Sequence, residues 1–226
     1  RAEKEYKAIL AEAYDRLGKV YSTQGNYTAS VGPFEYATAI RPDELDGVVE
    51  LSIAYFRTRQ YDKAQSVLQR AITINPLYAP AHHMLGKSYF MQSQFDKATA
   101  ELQTAIKLAP NDYDAQYTLG LALLKQKQVP QAKQVFQRMI DRLGNRPQLR
   151  VLIGRGYRET GFLPESIEEF NAALALDPRF PRVHYYLGLT YLYKDGATRI
   201  ADAMKEFEIE LAANPDEYFA NFYLGI

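Results

Sequence analysis

The chain has 226 residues, enough for one or two ordinary domains or for an elongated array whose core grows with every added unit. Its 27 lysines plus arginines balance 27 aspartates plus glutamates, so no global field selects nucleic acid or an anionic membrane and any preference must be local. The absence of cysteine excludes disulfides, thiolate zinc sites and a cysteine nucleophile, and no run approaches the roughly 18 apolar residues of a membrane helix.

The opening RAEKEYKAIL lacks the apolar centre of a signal peptide, so a soluble chain is expected, with its compartment left open. The stretch RAEKEYKAILAEAYDRLGKVYSTQ contains no breaker and predicts one long first helix whose charges cap the rest of the chain. From about residue 11 an outline begins to recur. LGKVYSTQGNYTAS from Leu17 returns as LSIAYFRTRQYDKA from Leu51, LGKSYFMQSQFDKA from Leu85, LGLALLKQKQVPQA from Leu119 and IGRGYRETGFLPES from Ile153. The prolines that close the units, Pro42, Pro76, Pro110 and Pro178, stand 34, 34 and 68 residues apart, and the missing one falls at Gly144. Self-similarity at a fixed period is the mark of a solenoid.

The third unit shows what one period contains. His82, Leu85, Gly86 and Tyr89 share one helical face, a short break comes at SQF, and Ala98, Leu102 and Ala105 form a second amphipathic helix ending before Pro110. Each unit thus predicts two antiparallel helices, with Gly86 and Ala98 letting their backbones approach. Glycine inside a helix costs about 1 kcal/mol relative to alanine, so its recurrence at Gly18, Gly86, Gly120, Gly154 and Gly188 implies a compensating gain in packing. In chain order the predicted units are 11–44, 45–78, 79–112, 113–146, 147–180 and 181–217, with a partial seventh helix over 218–226. Met139 and Gly144 break the pattern in the fourth unit, which predicts a looser pair and a longer turn through LGNRP. About three extra residues in KDGATR are expected between the helices of the sixth. Phe219, Phe222, Leu224 and Gly225 begin the seventh helix, which predicts a parent chain that continues; a self-capping helix and a face that meets another copy are the alternatives.

The residues that carry these outlines are Leu17, Gly18, Tyr21, Phe34, Ala37 and Pro42 in the first unit, Leu51, Tyr55, Ala64, Leu68, Ala71 and Pro76 in the second, and Leu85, Gly86, Tyr89, Ala98, Leu102, Ala105 and Pro110 in the third. Leu119, Gly120, Ala132 and Phe136 mark the fourth, Ile153, Gly154, Tyr157, Phe170, Ala173 and Pro178 the fifth, and Leu187, Gly188, Tyr191, Ala203, Phe207 and Pro215 the sixth. On these residues the chain resembles the tetratricopeptide repeat (TPR) family. The resemblance implies an all-α, right-handed α-solenoid of about six antiparallel helix pairs plus a C-terminal helix, forming one array over 1–226. It also implies that the first helices line a concave groove taking an extended peptide or a partner helix.

Residues of the first helices that lie off the core stripe change character along the chain, from acidic through apolar to basic. The candidate groove comprises Phe56, His83, Met84, Lys87 and Phe90, then Tyr117 and Leu121, and then Arg155, Arg158, Arg182, Tyr185, Tyr186 and Leu189. Aromatic and arginine side chains are the types that anchor interfaces, and paired guanidinium groups match a carboxylate, so an acidic group held by Arg155 and Arg182 is the expected specific contact. The lysine, asparagine and arginine clamp of TPR proteins that bind chaperone tails is missing, because Asp15, Lys19, Glu50, Pro80 and Met84 hold the corresponding early places. Homo-oligomeric assembly through the C-terminal helix, and a targeting arm of a larger enzyme, are the rival readings.

No chemistry competes with this. His82 and His83 point about 100° apart on a helix without a nearby cluster of carboxylates, so no metal is expected, and His82 and His184 are expected to pack between helices. Gly154 to Gly156 lie inside a helix and do not form a dinucleotide loop, and NYT at Asn26 carries no weight as a glycosylation site. Glu168 and Glu169 read as a solvated face, no cofactor is expected, and no acid and base can be paired. Most tyrosines fall on the core stripe, and no sustained basic lining accompanies them, so neither nucleic-acid binding nor membrane insertion is expected.

Overall fold

The computed structural model describes residues 2–215 and 218–224, and their side chains except at 194–197, 218, 219 and 224. The predicted positions Gly225, Phe219 and Leu224 therefore lie outside the described residues or side chains. The described helices alternate as first and second members of pairs: α1 (Ala2–Thr23) and α2 (Tyr27–Ile40), α3 (Leu45–Arg57) and α4 (Tyr61–Ile74), α5 (Ala79–Met91) and α6 (Phe95–Leu108). Then come α7 (Tyr113–Lys125) and α8 (Val129–Leu143), α9 (Pro147–Thr160) and α10 (Leu163–Leu176), α11 (Val183–Asp195) and α12 (Ile200–Ala213), and finally α13 (Tyr218–Leu224). No strand occurs among the described residues, and none of their helices is long and apolar enough to cross a membrane.

One device turns each of the first five pairs. Gly25, Arg59, Ser93, Lys127 and Gly161 all hold positive φ, at 75°, 62°, 59°, 61° and 91°, and each stands 34 residues after the last. At each turn the left-handed residue donates its N–H three residues back, as Arg59 to Phe56 at 3.1 Å, and the next residue donates five back, as Gln60 to Tyr55 at 2.8 Å. That is the Schellman closure of a helix C-terminus. Glycine takes this backbone freely at Gly25 and Gly161, whereas Arg59, Ser93 and Lys127 accept a cost of roughly 1–2 kcal/mol each. Asn26 then caps α2, its side chain accepting from Ala29 N at 3.2 Å.

Small residues set the spacing within pairs. A Cβ built on Gly86 would stand 2.6 Å from Leu102 Cγ and 3.3 Å from the Ala98 carbonyl oxygen, so only glycine lets α5 approach α6 this closely. Gly18 and Gly154 meet the rings of Phe34 and Phe170 in the same way. Ala64, Ala98, Ala132 and Ala203 are fully buried, as are Leu68, Leu102 and Phe170 beside them. Polar latches fix the rotation of the pairs. His82 bonds Glu101 at 2.7 Å and the Pro76 carbonyl at 2.9 Å, Arg150 bonds Glu169 at 2.9 Å, and His184 bonds Glu206 at 2.6 Å.

The chain falls into two compact units, 1–122 and 123–226, with the division inside α7. In the first, α2 packs on α3 and α4 on α5; in the second, α10 packs on α11 and α12 on α13. Two expectations are corrected here. The turn through LGNRP is shorter than its predecessors, occupying only 144–146, because α8 runs to Leu143 and Gly144 ends it at φ 86°. The first helix does not form a purely charged cap, since Tyr6, Ile9, Leu17 and Val20 stand exposed along it. In the sixth pair the insertion is taken up by a single 3₁₀ turn, Gly196–Arg199.

Candidate functional site

In the first unit the candidate residues lie on α3, α5 and α7. Phe56 and Phe90 are half-buried, and each meets the first residue of the following helix edge to face, Tyr61 at 5.5 Å and Phe95 at 5.6 Å. Met84, Tyr117 and Leu121 are likewise half-buried. His83 and Lys87 are bound into an ion network instead. His83 Nδ1 lies 2.8 Å from Asp112 and Nε2 lies 3.1 Å from Asp114, while Lys87 Nζ lies 2.6 Å from Asp114 and 5.9 Å from the Phe56 ring centre.

Burial opposes the His83 imidazolium, but the bonds to Asp112 and Asp114 outweigh it and raise the pKa above the ordinary histidine value. The same bond, with Lys87 in support, holds Asp114 far below the carboxylate range against its own burial. Asp112 is lowered too, the bond from His83 overcoming burial. These carboxylates correct the expectation that none would gather near His83: they sit in and just after the turn before α7, and the stacking of successive pairs brings that turn onto α5. No group of three or more ligands able to hold a metal occurs among the described residues.

In the second unit the geometry centres on Tyr186 of α11. Its ring stacks on Phe170 at 5.7 Å with 16° between planes and touches Tyr185 at 5.4 Å. Arg155 and Arg158 of α9 both come over it, their Cζ atoms 5.4 Å and 5.3 Å from the ring centre. The Arg155 side chain is 45% exposed and meets Glu159 at 3.8 Å, and the enclosed Arg158 Nε has no acceptor among the described residues. The structure therefore joins Arg155 with Arg158 at Tyr186. Arg182 stands exposed just before α11 at φ 66°, its backbone N–H donating to Glu210 Oε1 at 2.9 Å.

Glu210 is a residue that sequence reasoning missed. It is 1% exposed and also accepts from Asn214 Nδ2 at 2.6 Å and, more loosely, from Tyr185 N at 3.4 Å. Equivalent places in earlier pairs hold Ala37, Ala71, Ala105, Met139 and Ala173, so a charged residue there was the available signal. It compensates a local defect: α11 begins at Val183, two residues later in its unit than α9 at Pro147, and the carboxylate satisfies amides left open at that start. Leu189 does not belong to the surface. It is 6% exposed in a core with Ala203, Phe207 and Ala220, because α12 and α13 close over it.

Built of helix pairs that bear an aromatic and cationic surface, the molecule has the architecture of a helical-repeat protein. A tetratricopeptide repeat signature matches residues 48–76 and 89–155, and a TPR repeat signature matches 154–195, together covering more than half of the chain. The chain belongs to the tetratricopeptide repeat family. Among solved structures it is similar to PilF of Pseudomonas aeruginosa at 17% identity and a TM-score of 0.65, over 97% of this chain and 98% of that one. It is similar to a thermophilic TPR protein of Thermus thermophilus at 18% identity and 0.62, over 80% and 99%. YrrB, described as a TPR protein with an unusual peptide-binding site, aligns at 21% identity and 0.55, over 85% and 98%. At such identities the likeness is one of fold. No curated protein matches the chain.

Proposed function

We propose that the chain is a non-catalytic interaction scaffold that docks an extended segment or partner helix on its first helices, and that the segment presents an acidic side chain or free carboxylate to the second unit. The observation that carries this reading is the convergence of Arg155 and Arg158 on Tyr186, with Arg155 exposed and Arg158 Nε without an acceptor among the described residues. Two guanidinium groups oriented by one ring are preorganised for a carboxylate, and aromatic and arginine anchors carry most binding energy at interfaces. The half-buried Phe56, Met84, Phe90 and Tyr117 of the first unit supply a separate apolar surface suited to side chains of a segment. That YrrB is a peptide-binding relative in fold agrees with this reading.

Fluorescence anisotropy with a panel of acidic peptides, each paired with its Asn/Gln counterpart, tests it. Acidic members should bind in a salt-sensitive manner. Arg155→Glu combined with Tyr186→Ala should weaken the tightest of them by roughly thirtyfold or more without loss of helicity. Equal binding of the neutral counterparts, or unchanged binding by the variant, would remove the site.

A further inference from the structure

The repeat sets a cation over the same tyrosine in three of its pairs. Lys63 Nζ lies 5.3 Å from the centre of the Tyr55 ring, Lys97 Nζ 5.3 Å from that of Tyr89 and Arg199 Cζ 3.9 Å from that of Tyr191, and each cation stands eight residues after its tyrosine. Two of the hydroxyls are bonded from the place twenty residues earlier: that of Tyr55 donates to Glu35 at 2.5 Å, and that of Tyr89 accepts from Gln69 at 3.0 Å. Tyr157 of α9 departs from both habits. Eight residues after it stands Glu165, a carboxylate in place of the cation, and Gln137, twenty residues before it, donates to Asp141 at 2.7 Å instead. Tyr157 is 2% exposed, yet its hydroxyl has no hydrogen-bond partner among the described residues.

That side chain lines a cavity of about 130 Å³ between α8, α9 and α10 of the second unit, with room for the ammonium end of a lysine side chain. Phe136, Ile140 and the Tyr157 ring supply its apolar lining, and Glu165, Glu168 and Glu169 supply its carboxylates. Glu169 is held by Arg150 at 2.9 Å and Glu168 meets Lys133 at 3.7 Å, but the half-buried Glu165 has no ion-pair partner among the described residues. Burial first, and then Glu169, Glu165 and Glu168, hold the Tyr157 phenol above the usual tyrosine range, so it stays neutral beside negative charge. The carboxylates do not form a metal-ligating group. The positive end of α10 favours a carboxylate in its first turn, but it does not explain the open Tyr157 hydroxyl. We infer that the cavity takes the ammonium group of a lysine side chain supplied by a partner protein, completing at Tyr157 the contact that Lys63 and Lys97 complete within this chain. The ammonium meets the aromatic ring and the hydroxyl oxygen and pairs with Glu165, while its four-carbon stem runs along the apolar lining. The contact uses none of the residues at Tyr186, so it stands or falls independently of that site.

Methyl NMR of the whole chain, read at Ile140, tests this with doubly blocked lysine (Nα-acetyl-lysine methylamide) as the probe and its Nε-acetylated form as the neutral control. The charged probe should shift the Ile140 methyl saturably, with a Kd of about 1–10 mM that weakens as salt is raised, and the control should not. Glu165→Lys supplies the cation from within the chain and should abolish the shift. Glu165→Gln keeps the shape of the side chain and should weaken binding by roughly fivefold or more with helicity unchanged. The absence of a saturable shift, an equal response to the neutral control, or binding that survives both variants would overturn the inference. So would tighter binding of putrescine than of the lysine probe, which would make the ligand a free polyamine.

Discussion

At His83 the imidazole is only 14% exposed and lies between two carboxylates, so its protonation is linked to folding. Its folded pKa is raised from 6.5, and the stability this contributes is complete below that value and is lost as pH rises through the folded value. Asp112 and Asp114 are lowered from 3.8, and their contribution is present above that value and lost as pH falls through the folded values. All three contribute in full between about pH 4 and 6.5 and fade on either side. The melting temperature of the native chain minus that of His83→Gln should therefore be largest near pH 5 to 6 and should shrink toward pH 9. A difference that does not vary with pH would show that the network contributes packing alone. At Arg155 and Arg158 the balance differs, because their partner is a ring and the loose contact with Glu159 leaves charge available to a ligand.

Among the elements, α11 departs furthest from the repeat, and its start depends on a side chain of the helix after it. Replacing Glu210 by alanine restores the residue type of four earlier pairs but removes the acceptor of the part-buried Arg182 amide and of Asn214, and it should cost about 1–3 kcal/mol. Hydrogen exchange at Arg182 to Tyr186 should accelerate in Glu210→Ala and much less in Glu210→Gln; equal protection in all three would mean that the start of α11 stands unaided. This element also shows what is legible in the sequence. The helix pairs are readable because their causes are local: glycine opposite alanine, tyrosine three residues after it, and a turn every 34 residues. Arg155, Arg158, Tyr185 and Tyr186 are recognisable as surface candidates for the same reason, since helical phase alone places them off the core stripe. The burial of Leu189, the acceptors around His83 and the meeting of Arg155 with Arg158 over Tyr186 are not readable. Each depends on which side chain of a neighbouring helix arrives, and a single period does not encode that.

Across the whole molecule the balanced charge leaves partner choice to local patches, and the two compact units carry patches of different chemistry. The first presents half-buried aromatic and methionine side chains with their neighbouring ions internally paired, and the second presents guanidinium groups on an aromatic base. This division predicts that specificity for an acidic segment resides in the second unit, while the first contributes contact area with little charge selection. The most direct measurement is photo-crosslinking of the whole chain with an acidic peptide carrying a benzophenone, read by mass spectrometry. Attachment on α9 and α11 around Tyr186, abolished by excess unlabelled peptide, is the predicted result. Attachment confined to α8, α10 and α12, or equal labelling by the Asn/Gln counterpart, would contradict it.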